Sequence, residues 1–330
     1  MTPMTMTPTH PRFNHVVAFE VGKQTLVVHV LPADEQSTIA NTPAAVRRLL
    51  RKEMTRNQTA SLGAMLVVCE ATGGYERHVL GIAHELALPC HRAHGSRVRF
   101  FARYLGLLAK TDAIDARLLA LYGLRTEKLR LYQPPAPELT ALRALKARRD
   151  EINDMLIAET NRLEHAHHPR VRSSLKAHIR SLRASLTELD REIAELLRTE
   201  ALAHKARLMQ SVIGVGPQTA ASCLAYMPEL GHLTKAEAAA LAGLAPLARD
   251  SGKTSAPRHT AHGRSPICRT LYMAAVVAIR HNPVIAAFAQ RLRQAGKPFK
   301  LVITAVMRKL IVILNAILAE QQPWRHAKTP

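Results

Sequence analysis

The sequence predicts an α/β domain followed by two helical regions, and three observations carry that expectation. Short β-branched runs alternate with helical stretches from Phe13 to about Ala120. The segment Gln133-Pro134-Pro135-Ala136-Pro137 then stops any helix, because three prolines remove amide donors and fix φ. Beyond it, Leu175, Ile179, Leu182, Leu186, Leu189, Ile193 and Leu196 recur at alternating steps of four and three, a heptad seam. The 330 residues correspond to about two domains at ~150 residues each. A hydrophobic content of 47% is enough to fill globular cores and excludes wholesale disorder.

In chain order, Val16 to Phe19 and Leu26 to Val30 read as two strands joined by a turn around Gly22 and Lys23. Ala44 to Arg56 reads as a basic amphipathic helix, Met65 to Cys69 as a buried strand and Glu76 to Ala87 as a helix. Val98 to Leu119 reads as a helical region interrupted near Gly106. After the prolines, Leu142, Leu145, Ile152, Leu156 and Leu163 form a less regular stripe before the seam. His165-Ala166-His167-His168-Pro169 is the bend between the two, so the pair resembles an antiparallel hairpin. The histidines there fit a solvated tip better than a metal site, since Pro169 breaks the ligand spacing. From about Leu208 the chain turns helical and Ala-rich, with loops at Gly214 to Gln218, Gly231 and Ala248 to Pro266, and ends in the apolar helix Leu301 to Ala319. The expected domains are 1–132, 133–204 and 205–330.

Lys and Arg total 46 against 25 Asp and Glu, a formal charge of +21, which makes nucleic acid the first partner to consider. Aromatics at 4% argue against base-stacking platforms, so phosphate contacts should dominate. The spacing of Cys69, Cys90, Cys223 and Cys268 gives neither a zinc pair nor a disulfide framework and fits a reducing cytoplasm. Met1 to Pro11 lacks the order of a signal peptide, and Arg308 and Lys309 break the longest apolar stretch, so neither secretion nor membrane insertion is expected.

Glu20 closes the first strand, and Glu70 closes the Met65 to Cys69 strand ahead of Ala71-Thr72-Gly73-Gly74, so both point into the crevice where α/β sheets bind ligands. Asp112 and Asp115 are three apart and share one face of a helix. Such carboxylates are the ingredients of a magnesium site for phosphodiester chemistry, although each could equally be a helix cap or surface charge. In the third region, Gly214-Val215-Gly216 has the pattern of a helix-hairpin-helix turn whose free amides would face a phosphate, or of an ordinary tight turn. No Gly-Lys-Ser/Thr follows, which excludes a Walker loop. Downstream, Ser251 stands among Arg249, Lys253, Arg258, His259, His262, Arg264 and Arg269, a setting for a phosphate-binding loop or for a serine attacking phosphate.

Taken together and in order, these motifs resemble the DEDD-type transposases of the IS110 family, the bridge-RNA-guided serine recombinases. The resemblance covers nearly the whole chain. It rests on Val17-Ala18-Phe19-Glu20, Cys69-Glu70-Ala71-Thr72-Gly73-Gly74-Tyr75 and Lys110-Thr111-Asp112-Ala113-Ile114-Asp115-Ala116-Arg117. It continues in Ile213-Gly214-Val215-Gly216, Ala242-Gly243-Leu244-Ala245-Pro246, Asp250-Ser251-Gly252 and Leu271-Tyr272-Met273. It implies a RuvC-like, RNase H-fold domain, an antiparallel coiled-coil hairpin, and a helical transposase domain with a helix-hairpin-helix-like turn and a nucleophilic serine.

By the same resemblance, Glu20, Glu70, Asp112 and Asp115 would hold magnesium and Ser251 would be the nucleophile. Gly214, Gly216, Arg249, Lys253, Arg258, Arg264 and Arg269 are the candidate nucleic-acid contacts. The chain departs from the family at Glu20, where the family has Asp. The resemblance also implies target and donor DNA as substrates, a structured bridge RNA as guide, dimers pairing into a tetramer whose active sites combine carboxylates of one protomer with the serine of another, and a bacterial cytoplasmic setting. A RuvC-like metal nuclease on branched DNA, or a non-catalytic RNA-binding scaffold, are the alternatives.

Overall fold

The computed structural model describes residues 13–60, 64–107, 109, 111–127, 129–247, 250, 251, 254, 255, 259, 260 and 263–324. The chain divides into two compact units, 1–134 and 135–330.

The first unit runs β1 (Phe13–Val21), β2 (Thr25–Leu31), β3 (Glu35–Ala40), α1 (Pro43–Ala60), β4 (Ala64–Glu70), α2 (Arg77–Glu85), β5 (Cys90–Ala93), α3 (Gly95–Tyr104) and α4 (Asp112–Arg125). Its sheet has the order β3-β2-β1-β4-β5, with β2 antiparallel to both neighbours and β1, β4 and β5 parallel. That order and direction are consistent with an RNase H-like domain. Alternation along β1 and β4 divides the apolar side chains between two layers. Val17, Phe19, Val67 and Cys69 pack with Val46 and Leu50 of α1 and with Val79, Leu80, Ile82 and Ala83 of α2. Val16, Ala18, Leu66 and Val68 pack with Val98 of α3 and with Leu118, Leu119, Ala120 and Tyr122 of α4.

Gly123 sets the depth of the second layer. A Cβ at this position would stand 2.7 Å from Val68 Cγ2, 3.1 Å from Val16 Cγ1 and 3.3 Å from Leu66 Cδ2. Only a residue without a side chain lets α4 settle this closely on β1 and β4. In this unit two strands escape the sequence reading: β3, an edge strand with mostly exposed polar residues, and the four-residue β5. The helical region expected from Val98 to Leu119, interrupted near Gly106, is the pair α3 and α4 on either side of that glycine.

The second unit begins with α5 (Pro137–His165) and α6 (Pro169–Leu196). Arg149 of α5 meets Asp190 of α6 at 2.6 Å, and Glu159 further along α5 meets His178 earlier in α6 at 3.6 Å, so the pair is antiparallel. Within the seam, Ile179, Leu182, Leu186 and Ile193 are buried and Leu175, Leu189 and Leu196 are half-buried. The intramolecular partner therefore occupies most of the stripe. Arg172 donates to the carbonyls of Leu163 and Ala166 at 3.2 and 2.7 Å, satisfying the end of α5 at the bend. His165, His167 and His168 are exposed there.

There follow α7 (Glu200–Gln210), α8 (Pro217–Tyr226), α9 (Lys235–Leu241), the two-residue strands β6 (Pro246–Leu247), β7 (Asp250–Ser251), β8 (Thr254–Ser255) and β9 (His259–Thr260), then α10 (Ser265–His281), α11 (Pro283–Gln294) and α12 (Phe299–Glu320). By length and composition α12 could cross a membrane, but 61% of its apolar window is buried in the unit's core. Polar anchors cross this unit. Lys146, buried in α5, reaches Asp150 at 2.5 Å, whose other oxygen accepts from the Tyr226 hydroxyl at 3.0 Å. Burial lowers the Lys146 ammonium, partly offset by Asp150, and burial together with Asp150 pushes the Tyr226 hydroxyl up. The four cysteines are free, and burial pushes the Cys223 thiol up to about 12.

Two outcomes test these packing arguments. Gly123→Val should destabilise the chain by roughly 1–3 kcal/mol through overpacking, since valine is no worse a helix former than glycine. Denaturant unfolding measures it, and an unchanged midpoint would mean that α4 is free to shift. The second concerns His91, whose Nδ1 donates to the Arg130 carbonyl at 2.8 Å while Nε2 is buried without a hydrogen-bond partner. Protonation would place a second N–H in that dry position, and burial accordingly lowers this imidazole, partly offset by the Arg130 bond. As pH falls below the unfolded value of ~6.5, the unfolded chain takes up a proton that the folded chain refuses. Stability then declines until the folded pKa is reached. Amide exchange at β5 should accelerate over that range, and His91→Phe should remove the acceleration.

Candidate functional site

Glu20 continues the row of Val16 and Ala18 along β1, and Glu70 continues the row of Leu66 and Val68 along β4, so both acids lie on the sheet face that α4 covers. The parallel register pairs Phe19 with Cys69, and the next step sets Glu20 beside Glu70 at the carboxyl ends of neighbouring strands. Both are half-buried.

The turn after Glu70 is held by its own residues. Gly73 and Gly74 have positive φ of 58° and 100°, and the Glu76 carboxylate accepts from the amides of Thr72 and Gly74 at 3.2 and 2.8 Å. Asn41 ties this turn to the first hairpin, its amide donating to the carbonyls of Gly22 and Tyr75 at 2.9 and 3.1 Å. Gly95, at the start of α3, sits directly against Glu70. A Cβ on residue 95 would lie 2.4 Å from Glu70 Oε1. The turn glycines Gly73 and Gly74, the Glu76 carboxylate, the Asn41 bridge and the close-packed Gly95 thus frame Glu70, and none of these is a site residue by sequence reasoning.

Asp112 and Asp115 occupy the first turn of α4. Thr111 is the N-cap, its hydroxyl accepting from the Ile114 amide at 3.2 Å, so Asp112 is not needed as the cap. Asp112 is exposed and Asp115 half-buried. The far end of α4 packs at Gly123 on Val16, Leu66 and Val68, and shortly beyond it the Tyr132 amide bonds the Cys90 carbonyl at the start of β5. At ~1.5 Å per helical residue, Asp115 and Asp112 lie ~12–16 Å back from Gly123. Val16 to Glu20 spans ~13 Å of strand. The part of α4 that carries the two acids is therefore about as long as the stretch of β1 that carries Glu20. Beside it, Arg117 donates to Asp34 at 3.1 Å; this bond and a second from His29 hold the Asp34 carboxyl below its ordinary value.

Oxygen donors of this kind suit a hard divalent cation such as magnesium. Among the described residues, however, no three His, Cys, Asp or Glu side chains gather closely enough to hold one ion. The fold brings Glu20 and Glu70 side by side on the face that α4 covers, without closing a ligand cage among the described residues.

In the second unit, Gly214 has φ of 103°, and a Cβ there would stand 2.7 Å from Ala278 Cβ of α10, so close helix packing requires glycine. Gly216 precedes α8 as its N-cap and has open space around it. Ser251 lies in β7, its backbone paired with Thr254 of β8. Arg249, Lys253 and Arg258 lie outside the described residues. Arg264 departs from the expected phosphate contact: its guanidinium forms a bidentate pair with Glu229, both bonds 2.8 Å, and also donates to the Tyr226 carbonyl, so its donors are engaged within the fold. Arg269 likewise departs from the free cation expected, pairing with Asp154 at 3.1 Å. Both partners are more than half exposed, where such pairs are weak.

Comparison with known proteins places these motifs in context. Residues 17–167 match a DEDD-type transposase family model, and residues 206–290 match the model of the Transposase IS116/IS110/IS902 family. Pilin gene-inverting proteins of Moraxella bovis and Moraxella lacunata are each 32% identical over 266 residues, covering 78% of this chain and 81% of theirs. An uncharacterised 44.8 kDa protein of insertion element IS116 from Streptomyces clavuligerus is 29% identical over 135 residues, 40% of this chain and 33% of that one.

Gly95→Ala tests the frame around Glu70. The added methyl displaces the end of a flexible side chain, so the fold should tolerate it, whereas a carboxylate moved by about an ångström should cost DNA strand cleavage tenfold or more. Full cleavage by this variant would show that the position of Glu70 is immaterial.

Proposed function

The chain belongs to the IS110 family of insertion-sequence transposases, and on that premise we propose that it is a recombinase that cuts and rejoins DNA through a phosphoserine intermediate under the guidance of a structured RNA. The observation that carries this reading is the position of Glu20 and Glu70 on neighbouring strand ends, on the sheet face that α4 covers, with Asp112 and Asp115 in the first turn of that helix. Relatives named for inverting a pilin gene add weight, because inversion requires two sites to be cut and rejoined rather than merely hydrolysed.

Glu20, Glu70, Asp112 and Asp115 would hold magnesium, with substrate phosphate oxygens completing a coordination shell that the side chains do not close alone. A bound divalent ion would polarise the scissile phosphate and stabilise its developing charge. In this reading backbone placement would set the carboxylates for oxygen ligation, two of them at strand ends and the others in a capped helix turn.

Ser251 is the nucleophile in this reading. Its Oγ forms a bond to phosphorus, its proton is lost, and the bond from phosphorus to one sugar oxygen breaks, so that oxygen leaves as a hydroxyl. Attack by a hydroxyl of the recombining strand restores the phosphodiester and frees the serine. Arg249, Lys253 and Arg258 are the proposed charge partners of the phosphate, with Gly214 and Gly216 as a helix-hairpin-helix-like backbone grip. The α5–α6 pair acts as a coiled-coil spacer, dimers pair into a tetramer across two DNAs, and base pairing by the RNA supplies sequence choice.

Replacing Ser251 by Ala should abolish strand exchange while leaving DNA binding nearly intact. Asp112→Asn should lose activity far more than stability, and a strong chelator should silence the wild-type protein. Recombination that persists under chelation would remove the metal from the scheme. Glu20 is tested by two substitutions. If it ligates, Glu20→Asp retains activity and Glu20→Gln loses most of it. Equal activity of both would make Glu20 a bystander.

A further inference from the structure

A groove of about 450 Å³ opens on the α5–α6 pair, lined by Thr160 and Leu163 of α5 and by Ser173, Lys176, Ile179, Arg180 and Arg183 of α6. Its cations sit at steps of four and three along one face of α6, an arrangement that costs stability through like-charge repulsion unless something anionic joins it. Elsewhere on α5, acids answer the bases: Lys146 pairs with Asp150, Arg148 with Glu151, Arg149 with Asp190 and Arg162 with Glu159. Among the described residues, Lys176, Arg180 and Arg183 have no such partner within 4 Å. The nearby acid Glu159 is engaged by Arg162 through one oxygen and approached by His178 through the other.

The lining also constrains the anion. The volume falls within the ~300–1,000 Å³ range of clefts that enclose a small organic ligand, more than a phosphate alone fills. Leu163 contributes apolar surface, suited to the face of a base, while the guanidinium planes can stack on it. Lys176 and Arg180 stand about 6 Å apart along the helix axis, the scale on which successive phosphates follow one another. Thr160 has committed its proton to the Leu156 carbonyl at 2.7 Å, so its oxygen can only accept. A deoxyribose backbone offers it no donor, whereas a ribose 2′-hydroxyl does.

We propose that this groove binds an unpaired ribonucleotide and its flanking phosphates, making the helix pair a docking site for single-stranded RNA. The proposal deepens the RNA-guided reading above and rests on its RNA component, but not on the strand-cleavage chemistry.

The test uses the full chain with a short unstructured RNA carrying one 4-thiouridine, and with DNA of matching sequence. Crosslinks should map between residues 160 and 183. The triple variant Lys176→Ala/Arg180→Ala/Arg183→Ala should weaken RNA binding about tenfold or more and flatten its salt dependence by about 2 in log–log slope, at ~0.7 per phosphate contact. Thr160→Val should reduce the preference for RNA over DNA. Leu163→Trp, which fills the groove without changing charge, should weaken RNA binding too. Crosslinks confined to other segments, with RNA affinity unchanged in these variants, would overturn the groove and leave RNA guidance standing. Equal losses for RNA and DNA would reduce it to a phosphate patch and reject the ribonucleotide site. Failure of the wild-type chain to bind RNA at all would defeat both the groove and the guided reading. Copurification of an acidic protein whose release depends on the triple variant, with no RNA crosslink, would reject it in favour of a protein partner.

Discussion

The first unit depends on how closely α4 can lie against the sheet. Gly123 allows the helix backbone to approach Val16, Leu66 and Val68 within ordinary side-chain contact. That depth, and the start of the helix at the Thr111 cap, determine how far Asp112 and Asp115 stand from Glu20 and Glu70. A bulkier residue would lift the helix, and the carboxylates would move with it. The chemistry proposed for the acids is therefore tied to a packing contact about three helical turns away from them.

A second constraint is electrostatic. A chain with a formal charge of +21 has to keep its cations from repelling one another out of the fold. Part of that is met by local pairing: Arg264 with Glu229, Arg149 with Asp190, and Lys146 with Asp150 beside Tyr226. The first two pairs, and the Tyr226 bond to Asp150, join elements of the second unit to one another, and all three pairs leave their cations little freedom for ligands. Lys176, Arg180 and Arg183 of α6, which have no acid partner among the described residues, contrast with them. Charge count alone marks a polyanion-binding protein, but only pairing separates the cations that hold the fold from those left for a partner.

Much of this was legible in the sequence because it depends on local pattern. The β1–β2 hairpin, α1, β4, the helix pair and α12 all follow from apolar periodicity and from prolines that stop helices. The strand-end positions of Glu20 and Glu70 follow from the same patterns. β3 was hidden because an exposed edge strand carries no apolar alternation, and β5 because four residues are too few to show a period. Gly95 could not be found either, since the Glu70 carboxylate that requires it lies on another strand. Arg264 misled for a related reason: its partner Glu229 lies 35 residues away, and proximity to Ser251 in the sequence suggested a phosphate instead. In the motif around Glu70, Glu76 starts the expected helix as the N-cap of α2, but the sequence does not show that its carboxylate also organises the turn between strand and helix.

The central claim is that this fold breaks DNA by transferring the strand to Ser251 while carboxylates from the sheet and α4 support the reaction. The most direct measurement traps the reaction before rejoining, digests protein and DNA, and identifies the nucleotide-bearing peptide by mass spectrometry. The account predicts a phosphodiester on Ser251, formed only with a divalent cation present. DNA cleaved with no nucleotide left on the protein, or a nucleotide on Ser255, Ser265 or Tyr226 instead, would contradict it.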